Sequence, residues 1–419
     1  MGSSQRLPSR RWSEADAERY LLSLELFGMR FGLDRMRRLL VTLGSPQERF
    51  DAIHVVGTNG KSSTARMIAA ILERHGLRTG AYLSPHLVSF AERVRVDGRD
   101  LDADALAEAV RAASVAAAKV DRTLAADDRV TQFEALTAAA FFELARREVD
   151  VTVAEAGLGG RWDATNVLAA PVVVLTNVGL EHTRWLGPTV RDIAREKLAV
   201  VPPGGTLVVG ADLHPDALAE AHRVDATLIE APADAGIDLV ARGGFQRRNF
   251  AAARAAAEAH LGELDEAAVE AAAAATLVPG RFELIADYPP TFLDGAHNPG
   301  GMAALADALR EELRGRPLTA VLSILDDKDA GAMLSELTPL ARRVVLTTNS
   351  NPRALSPATL ESLALQLGVS ETLTEPDPRR AVDVARELAS DEDGVVLATG
   401  SIYLVADLLR PAGRRGSML

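Results

Sequence analysis

The stretch Asp51-Ala52-Ile53-His54-Val55-Val56-Gly57-Thr58-Asn59-Gly60-Lys61-Ser62-Ser63-Thr64 decides the fold. It opens as a β-branched run and passes through a Gly-rich turn. The helix formers Ala65-Arg66-Met67-Ile68-Ala69-Ala70-Ile71-Leu72-Glu73 follow,. Strand, loop and helix in that order aim the loop amides and the helix N-terminus at one space, where they can cradle polyphosphate. Lys61 can reach the outer phosphates and a neighbouring hydroxyl can reach a metal ion. The strict pattern places its first Gly five positions before the second. Val55 stands there, so Gly57-Thr58-Asn59-Gly60-Lys61-Ser62-Ser63 is a shorter variant. Taken alone, it could equally be a tight turn with an exposed Lys.

Composition sets the frame around this loop. The chain has 419 residues, 47% hydrophobic and 25% charged, enough for two or three packed domains,. No apolar run approaches a transmembrane length. Residues 1–11 are polar and Arg-containing, without the apolar core of a signal peptide,. They read as a disordered lead-in, part of it added by cloning, and the cytoplasm is the expected location. The absence of Cys excludes disulfides, thiolate catalysis and Cys-ligated zinc,. A net charge of −12 makes the chain a poor general binder of nucleic acid or of an anionic membrane,. An anionic substrate therefore needs a local cluster of cations or helix N-termini.

Strand-like and helix-like segments alternate almost throughout, which predicts an α/β fold with buried parallel strands. Strands are expected at 53–56, 79–83, 150–155, 172–176 and 206–209, with helices at 63–75, 103–118, 133–147 and 190–201. The alternating piece 92–98 ends in Asp97-Gly98 and reads as a hairpin or edge strand,. The Ala-rich stretch 251–276 reads as two packed helices broken at Leu261-Gly262,. A hinge is expected at 285–290. It divides an N-terminal, doubly wound P-loop domain (1–287) from a smaller Rossmann-like domain (288–419). In the latter, strands are expected at 291–293, 320–324, 343–347 and 395–398, and helices open near Pro299, Asp329, Pro357 and Pro378,.

Three further constellations carry chemistry. Glu155 ends an apolar strand just before Gly157-Leu158-Gly159-Gly160-Arg161. Ligands of open α/β sheets sit outside the carboxyl ends of strands, and a carboxylate beside a phosphate loop suits Mg²⁺, which takes hard oxygen donors. The alternative is a strand-end Glu closing a turn. His182 ends the next strand and becomes a plausible second ligand, though a lone loop His is often structural. Lys197 reads blandly as a surface charge paired with a neighbouring Glu. Asp294 and His297 share the short loop Asp294-Gly295-Ala296-His297-Asn298-Pro299, where a cap explains Asn298 but not the other two,.

These pieces together resemble the Mur ligase superfamily and, within it, the folylpolyglutamate synthases, often bifunctional with dihydrofolate synthase. The resemblance spans nearly the whole chain. It runs through Ser23-Leu24-Glu25-Leu26-Phe27-Gly28-Met29, the loop at Gly57, Leu83-Ser84-Pro85-His86-Leu87, Glu92 to Val96, and Phe133-Glu134-Ala135-Leu136-Thr137. It continues in Glu155 to Asn166, Gly179 to Thr183, Arg195-Glu196-Lys197, Pro279 to Glu283, Leu293 to Pro299, Asp327-Lys328-Asp329 and Thr399-Gly400-Ser401. Ser62 stands where the family often has Gly. A phosphate loop this close to the start matches the folate-type plan, without the UDP-sugar domain of the cell-wall ligases.

The resemblance implies an amide ligase that adds L-glutamate to a reduced folate or to dihydropteroate, with ATP as co-substrate, through an acyl phosphate. Gly57, Thr58, Asn59, Gly60, Lys61, Ser62 and Ser63 would hold the phosphates, and Asn249, Arg281 and Asp294 would contact the nucleotide. The bland reading of Asn249 is a helix N-cap. Ser84, Glu155, His182 and a carbamylated Lys197 would hold two Mg²⁺ ions, with K⁺ as a further cation. Lys61, His182 and Lys197 would be catalytic. Pro85, His86, Phe133, Gly159, Gly160 and Arg161 would bound the pteridine, and His297, Lys328 and Asp329 would bind substrate from the second domain. A monomer, with no nucleic-acid or membrane partner, is expected. Two alternatives stay open: a Mur-type ligase with a different acid, and a P-loop module that binds ATP without ligating.

Overall fold

The computed structural model describes residues 11–25, 32–125 and 127–411. The lead-in up to residue 10 and the Leu26-Phe27-Gly28-Met29 match lie outside them.

Two sheets organise the chain. The first contains β1 (Asp51–Val56), β2 (Thr79–Tyr82), β3 (Val94–Val96), β4 (Arg99–Asp100), β5 (Val151–Glu155), β6 (Val172–Leu175), β7 (Gly205–Val209) and β8 (Ala226–Glu230), in the order β4-β3-β2-β5-β1-β6-β7-β8. β2, β5, β1, β6, β7 and β8 run parallel, and β3 and β4 add an antiparallel hairpin at one edge. β5 and β6 are buried on both faces, as parallel strands covered by helices must be,.

Helix Lys61–Arg74 packs on this sheet, and the Ala-rich helices Gly244–Leu261 and Glu266–Ala275 pack against it in turn. Their small side chains let the helices approach closely. Ala252, Ala253, Ala256 and Ala257 are all buried there. The predicted strands and helices appear with ends shifted by up to three residues, except the first Ala-rich helix, which opens at Gly244, seven residues before the expected 251. β8, the strands Glu283–Asp287 and Glu371–Thr374, and the helices Glu14–Ser23, Asp34–Thr42, Pro215–Ala221 and Ile402–Leu409 escaped sequence reading. The three strands are half-exposed, so their hydrophobic pattern is diluted.

The second sheet contains β9 (Glu283–Asp287), β10 (Pro290–Leu293), β11 (Leu318–Leu322), β12 (Ala341–Leu346), β13 (Glu371–Thr374) and β14 (Val395–Thr399), in the order β13-β12-β11-β14-β10-β9. Only β9 is antiparallel. This pairing corrects the expected hinge. Residues 285–290 belong to the β9–β10 hairpin, and the chain passes between the sheets at 276–282. Among the described residues no helix is long and apolar enough to cross a membrane.

Candidate active site

Adjacent strands β5, β1 and β6 deliver their carboxyl ends to one crevice, and so do β11, β14 and β10 from the second sheet. After β1, Gly60 takes φ +83, and a Cβ there would lie 2.4 Å from Asn249 Oδ1. Glycine at this φ lets the Asn249 side chain of helix Gly244–Leu261 come this close to the loop,. Asn249 thus lies inside that helix, not at its N-cap. Its amide donates to Gln246 Oε1 at 3.0 Å. Asn177 locks the loop from the next strand. Its Oδ1 accepts from Asn59 N at 2.9 Å, and its Nδ2 donates to Asn59 O at 3.1 Å.

Lys61 opens the helix and is not an exposed loop charge. Its side chain is 16% exposed, donates to Thr58 O at 3.1 Å and lies 4.0 Å from Glu155 Oε1. Glu155 also accepts from Ser62 Oγ at 2.7 Å and from Ser84 N at 3.0 Å. Burial pushes its carboxyl up, and Lys61, Ser84, Ser62 and Arg281 act against that.

Lys197 departs most from the bland reading. It is buried, and its ammonium nitrogen donates to Gly57 O at 2.7 Å directly beneath the phosphate loop. Burial, helped by the charge of Lys61, pulls it down to about 7. Gly160 explains how its helix is held. A Cβ there would lie 2.7 Å from the carbonyl oxygens of both Glu196 and Lys197. The 157–161 loop therefore lies flat on helix Val190–Leu198, and Arg161 N donates to Glu196 O at 2.9 Å.

From the second domain, Asp294 is buried and accepts from Phe282 N at 2.8 Å and Ala296 N at 2.7 Å. Burial pushes it up, with Arg281 opposing. Asn298 caps helix Pro299–Leu313, accepting from Gly301 N at 2.7 Å. Its remaining amide capacity exchanges two hydrogen bonds with the Asn59 side chain, at 2.9 and 3.1 Å, across the domain boundary.

A cavity of about 270 Å³ is lined by Asn59, Lys61, Ser63, Asn249, Arg281 and Asp294 among others, while Lys197 lies behind its wall, beneath Gly57. A second, of about 530 Å³, lies against Phe133, Gly159, Gly160, Trp162 and Lys328. Ser84, Pro85, Gly157, His182 and His297 line both. Three expected substrate residues stand elsewhere. His86 is buried behind the wall, where its Nδ1 accepts from Arg93 Nε at 2.9 Å, and Arg93 is the residue that lines the cavity. Arg161 pairs with Glu196 at the surface. Asp329 caps helix Ala330–Leu337 through Ala332 N at 2.9 Å, while Asp327 and Lys328 face the cavity.

Sequence reading missed Glu181. Its side chain is 10% exposed, and its Oε1 lies 3.1 Å from Lys328 Nζ, 3.3 Å from His297 Nε2 and 3.9 Å from His182 Nε2. Burial alone would raise its carboxyl. His297 and Lys328 more than offset this and hold it well below the usual carboxylate range. Partial burial pulls His182 below its ordinary value, although its side chain is still 43% exposed.

The donor set suits a hard divalent cation. Among the described residues no three His, Asp or Glu side chains form a ready-made cage. A single buried carboxylate with serine hydroxyls beside a phosphate loop is nevertheless how Mg²⁺ is usually held, the phosphates and water completing the shell.

The arrangement has close counterparts. The Mur ligase middle domain matches residues 55–249, and the Mur ligase glutamate ligase domain matches 280–402. A dihydrofolate synthase/folylpolyglutamate synthase of Mycobacterium tuberculosis is 36% identical over 406 residues, covering 86% of this chain and 83% of that protein. The solved structure of M. tuberculosis folylpolyglutamate synthase complexed with ADP matches with a TM-score of 0.86 at 36% identity, covering 94% of this chain and 96% of the other. A bifunctional folylpolyglutamate synthase/dihydrofolate synthase with Mn, AMPPNP and L-glutamate bound matches at 0.83 and 28%, covering 96% and 99%. With its two sheets, its phosphate loop and a 36% identical relative matched over most of both chains, this protein belongs to the Mur ligases and, among them, to the dihydrofolate synthase/folylpolyglutamate synthase family.

Proposed function

We propose that the chain joins L-glutamate to a reduced folate, and to dihydropteroate, with ATP cleaved to ADP and phosphate. One observation carries this reading. The cavity at the phosphate loop and the larger cavity beside it share a wall of Ser84, Pro85, Gly157, His182 and His297. A carboxylate bound in the second can therefore meet the terminal phosphate of a nucleotide bound in the first.

The chemistry follows in two steps. A substrate carboxylate oxygen attacks the γ-phosphorus and ADP leaves, giving an acyl phosphate. The deprotonated amine of L-glutamate then attacks the acyl carbon, the C–N bond forms and phosphate leaves. Lys61 and the loop amides stabilise charge on the phosphoryl group in flight. Asn249, Arg281 and Asp294 hold the nucleotide. Lys328 and His297 receive the incoming amino acid from the second domain. Glu155, Ser84 and His182 would hold Mg²⁺, which when bound neutralises phosphate charge. Lys197 is proposed to carry a carbamate. A neutral amine is the form that adds CO₂, losing one proton, and burial keeps that form accessible near pH 7. The product is an anion that suits a cation-rich site beneath the loop. K⁺ as a further cation, a monomeric state and a cytoplasmic location complete the proposal.

The deciding experiment measures ADP release and product mass with dihydropteroate and with tetrahydrofolate separately. Ligation predicts that rapid ADP accumulation needs both acid and L-glutamate, and that the product gains one glutamyl unit. ADP release indifferent to both would overturn the reading.

A further inference from the structure

His54 takes no part in the chemistry above, yet it lies in the central strand that feeds the phosphate loop. Ile53 and Val55 point into the core around helix Lys61–Arg74, so His54 faces the other side of β1. Its ring is 1% exposed, and Nε2 lies 2.8 Å from Thr165 Oγ1. Thr165 Oγ1 lies in turn 2.5 Å from Asp163 Oδ1. Both residues are buried. Asp163 also accepts from Thr165 N at 3.0 Å, and its Oδ2 accepts from Leu158 N at 2.8 Å.

The chain of contacts has a direction. Burial pushes the Asp163 carboxyl up, but the Thr165 hydroxyl and the backbone amides around it all favour the ionised form. The partners of its two oxygens are all donors, Thr165 Oγ1 and N on Oδ1 and Leu158 N on Oδ2, so Thr165 spends its single proton on Asp163. Its oxygen must then accept from His54, which places the imidazole proton on Nε2. Burial brings His54 down to about 4, so a neutral ring with one such proton is the form present near pH 7.

We propose that His54 is a positioning residue for the larger cavity: as an Nε2–H donor it orders the protons along His54–Thr165–Asp163, and Asp163 in turn anchors the Gly157–Gly160 wall through the Leu158 amide. Gly157 lines both cavities, and Asp163 lines the larger one. A strand that ends in the phosphate loop thus also sets the wall against which the acid substrate lies. A His that merely filled core volume would be indifferent to where its proton sits.

The test has two arms. The first uses ¹⁵N-histidine-labelled wild-type protein, with His54→Gln to assign the resonance. The expected signature is a neutral Nε2–H tautomer that does not titrate between pH 8 and 5.5. An Nδ1–H tautomer, which would mean the opposite proton order, overturns the proposal. The second arm rests on the ligase reading and measures KM for each substrate in His54→Leu, His54→Gln and Thr165→Val. His54→Leu and Thr165→Val should raise KM for the folate or pteroate acid about tenfold or more and leave KM for ATP within about twofold. His54→Gln, whose amide nitrogen can donate from nearly the same place, should stay within about threefold of wild type. An unchanged acid KM in the near-isosteric Thr165→Val, or equal shifts in every KM, would reject the role. If wild type turns over neither acid, the ligase reading has failed and the tautomer still decides the proposal.

Discussion

Lys61 serves two neighbours: it faces the phosphate site and it is the counter-charge of the buried Glu155. Lys61→Ala should therefore lower kcat about 10³-fold, the upper range for removing one charge stabiliser of a transition state. The variant should remain folded by circular dichroism, because Ser62 and the Ser84 amide still satisfy Glu155. Lys197→Ala should be nearly inactive, and acetate or formate should partly restore turnover by filling the vacated anion position. A fully active variant would reject the carbamate. His54 gives a pH signature in stability. Its folded value is about 4 against an ordinary 6.5, so between those values the unfolded chain binds the extra proton and stability rises with pH. Wild type should lose about 3 kcal/mol from this group between pH 6.5 and 4, and denaturant titrations of His54→Gln should show a shallower loss over that window. The placement of residues at the crevice was legible where they are contiguous with a strand end, as at Thr58–Lys61, Glu155 and Asp294. Burial of Lys197 was not legible, because it depends on the 157–161 loop lying flat on its helix. Glu181 was missed because its closest partner, Lys328, lies 147 residues further along.

Among the elements, helix Gly244–Leu261 shows most directly how composition becomes a site. Its run of alanines permits the close approach that brings Asn249 against Gly60. Ala253 is fully buried one turn beyond Asn249, on the same face,. Ala253→Leu should overpack this contact, cost about 1–3 kcal/mol of stability, and raise KM for ATP more than KM for L-glutamate. Equal effects on both would show that the helix only supports the core. The alternation of strands and helices was readable because parallel strands buried on both faces form continuous apolar runs. The β9–β10 hairpin was not. Glu283-Leu284-Ile285-Ala286-Asp287 is short, half-exposed and followed by Tyr288-Pro289, so it resembled a linker. A helix opening at Phe250 would make Asn249 its cap, but the helix begins earlier, at Gly244, where no side chain caps it.

Across the whole molecule, the two sheets are joined covalently at 276–282 and non-covalently over the crevice. Sequence reading found both halves but put the joint one strand too late, since the pairing partner of β9 is fixed only by the tertiary fold. The Asn59–Asn298 exchange ties the phosphate loop to the second domain, so nucleotide on the loop should favour the closed arrangement,. Small-angle scattering should show a smaller radius of gyration with AMPPNP, Mg²⁺ and the acid substrate than without. An unchanged radius would mean a fixed interface. Glu181 adds an ionic clasp across the same crevice, from the first domain to Lys328 and His297 of the second. A clasp made of charge responds to the medium as well as to ligands. Mobile ions screen it over a Debye length that shrinks from about 10 Å at 0.1 M to about 3 Å at 1 M, least effectively where it is most buried. Added salt would thus shift the resting gap between the domains only as far as the partly open rim of this clasp, at His297, allows.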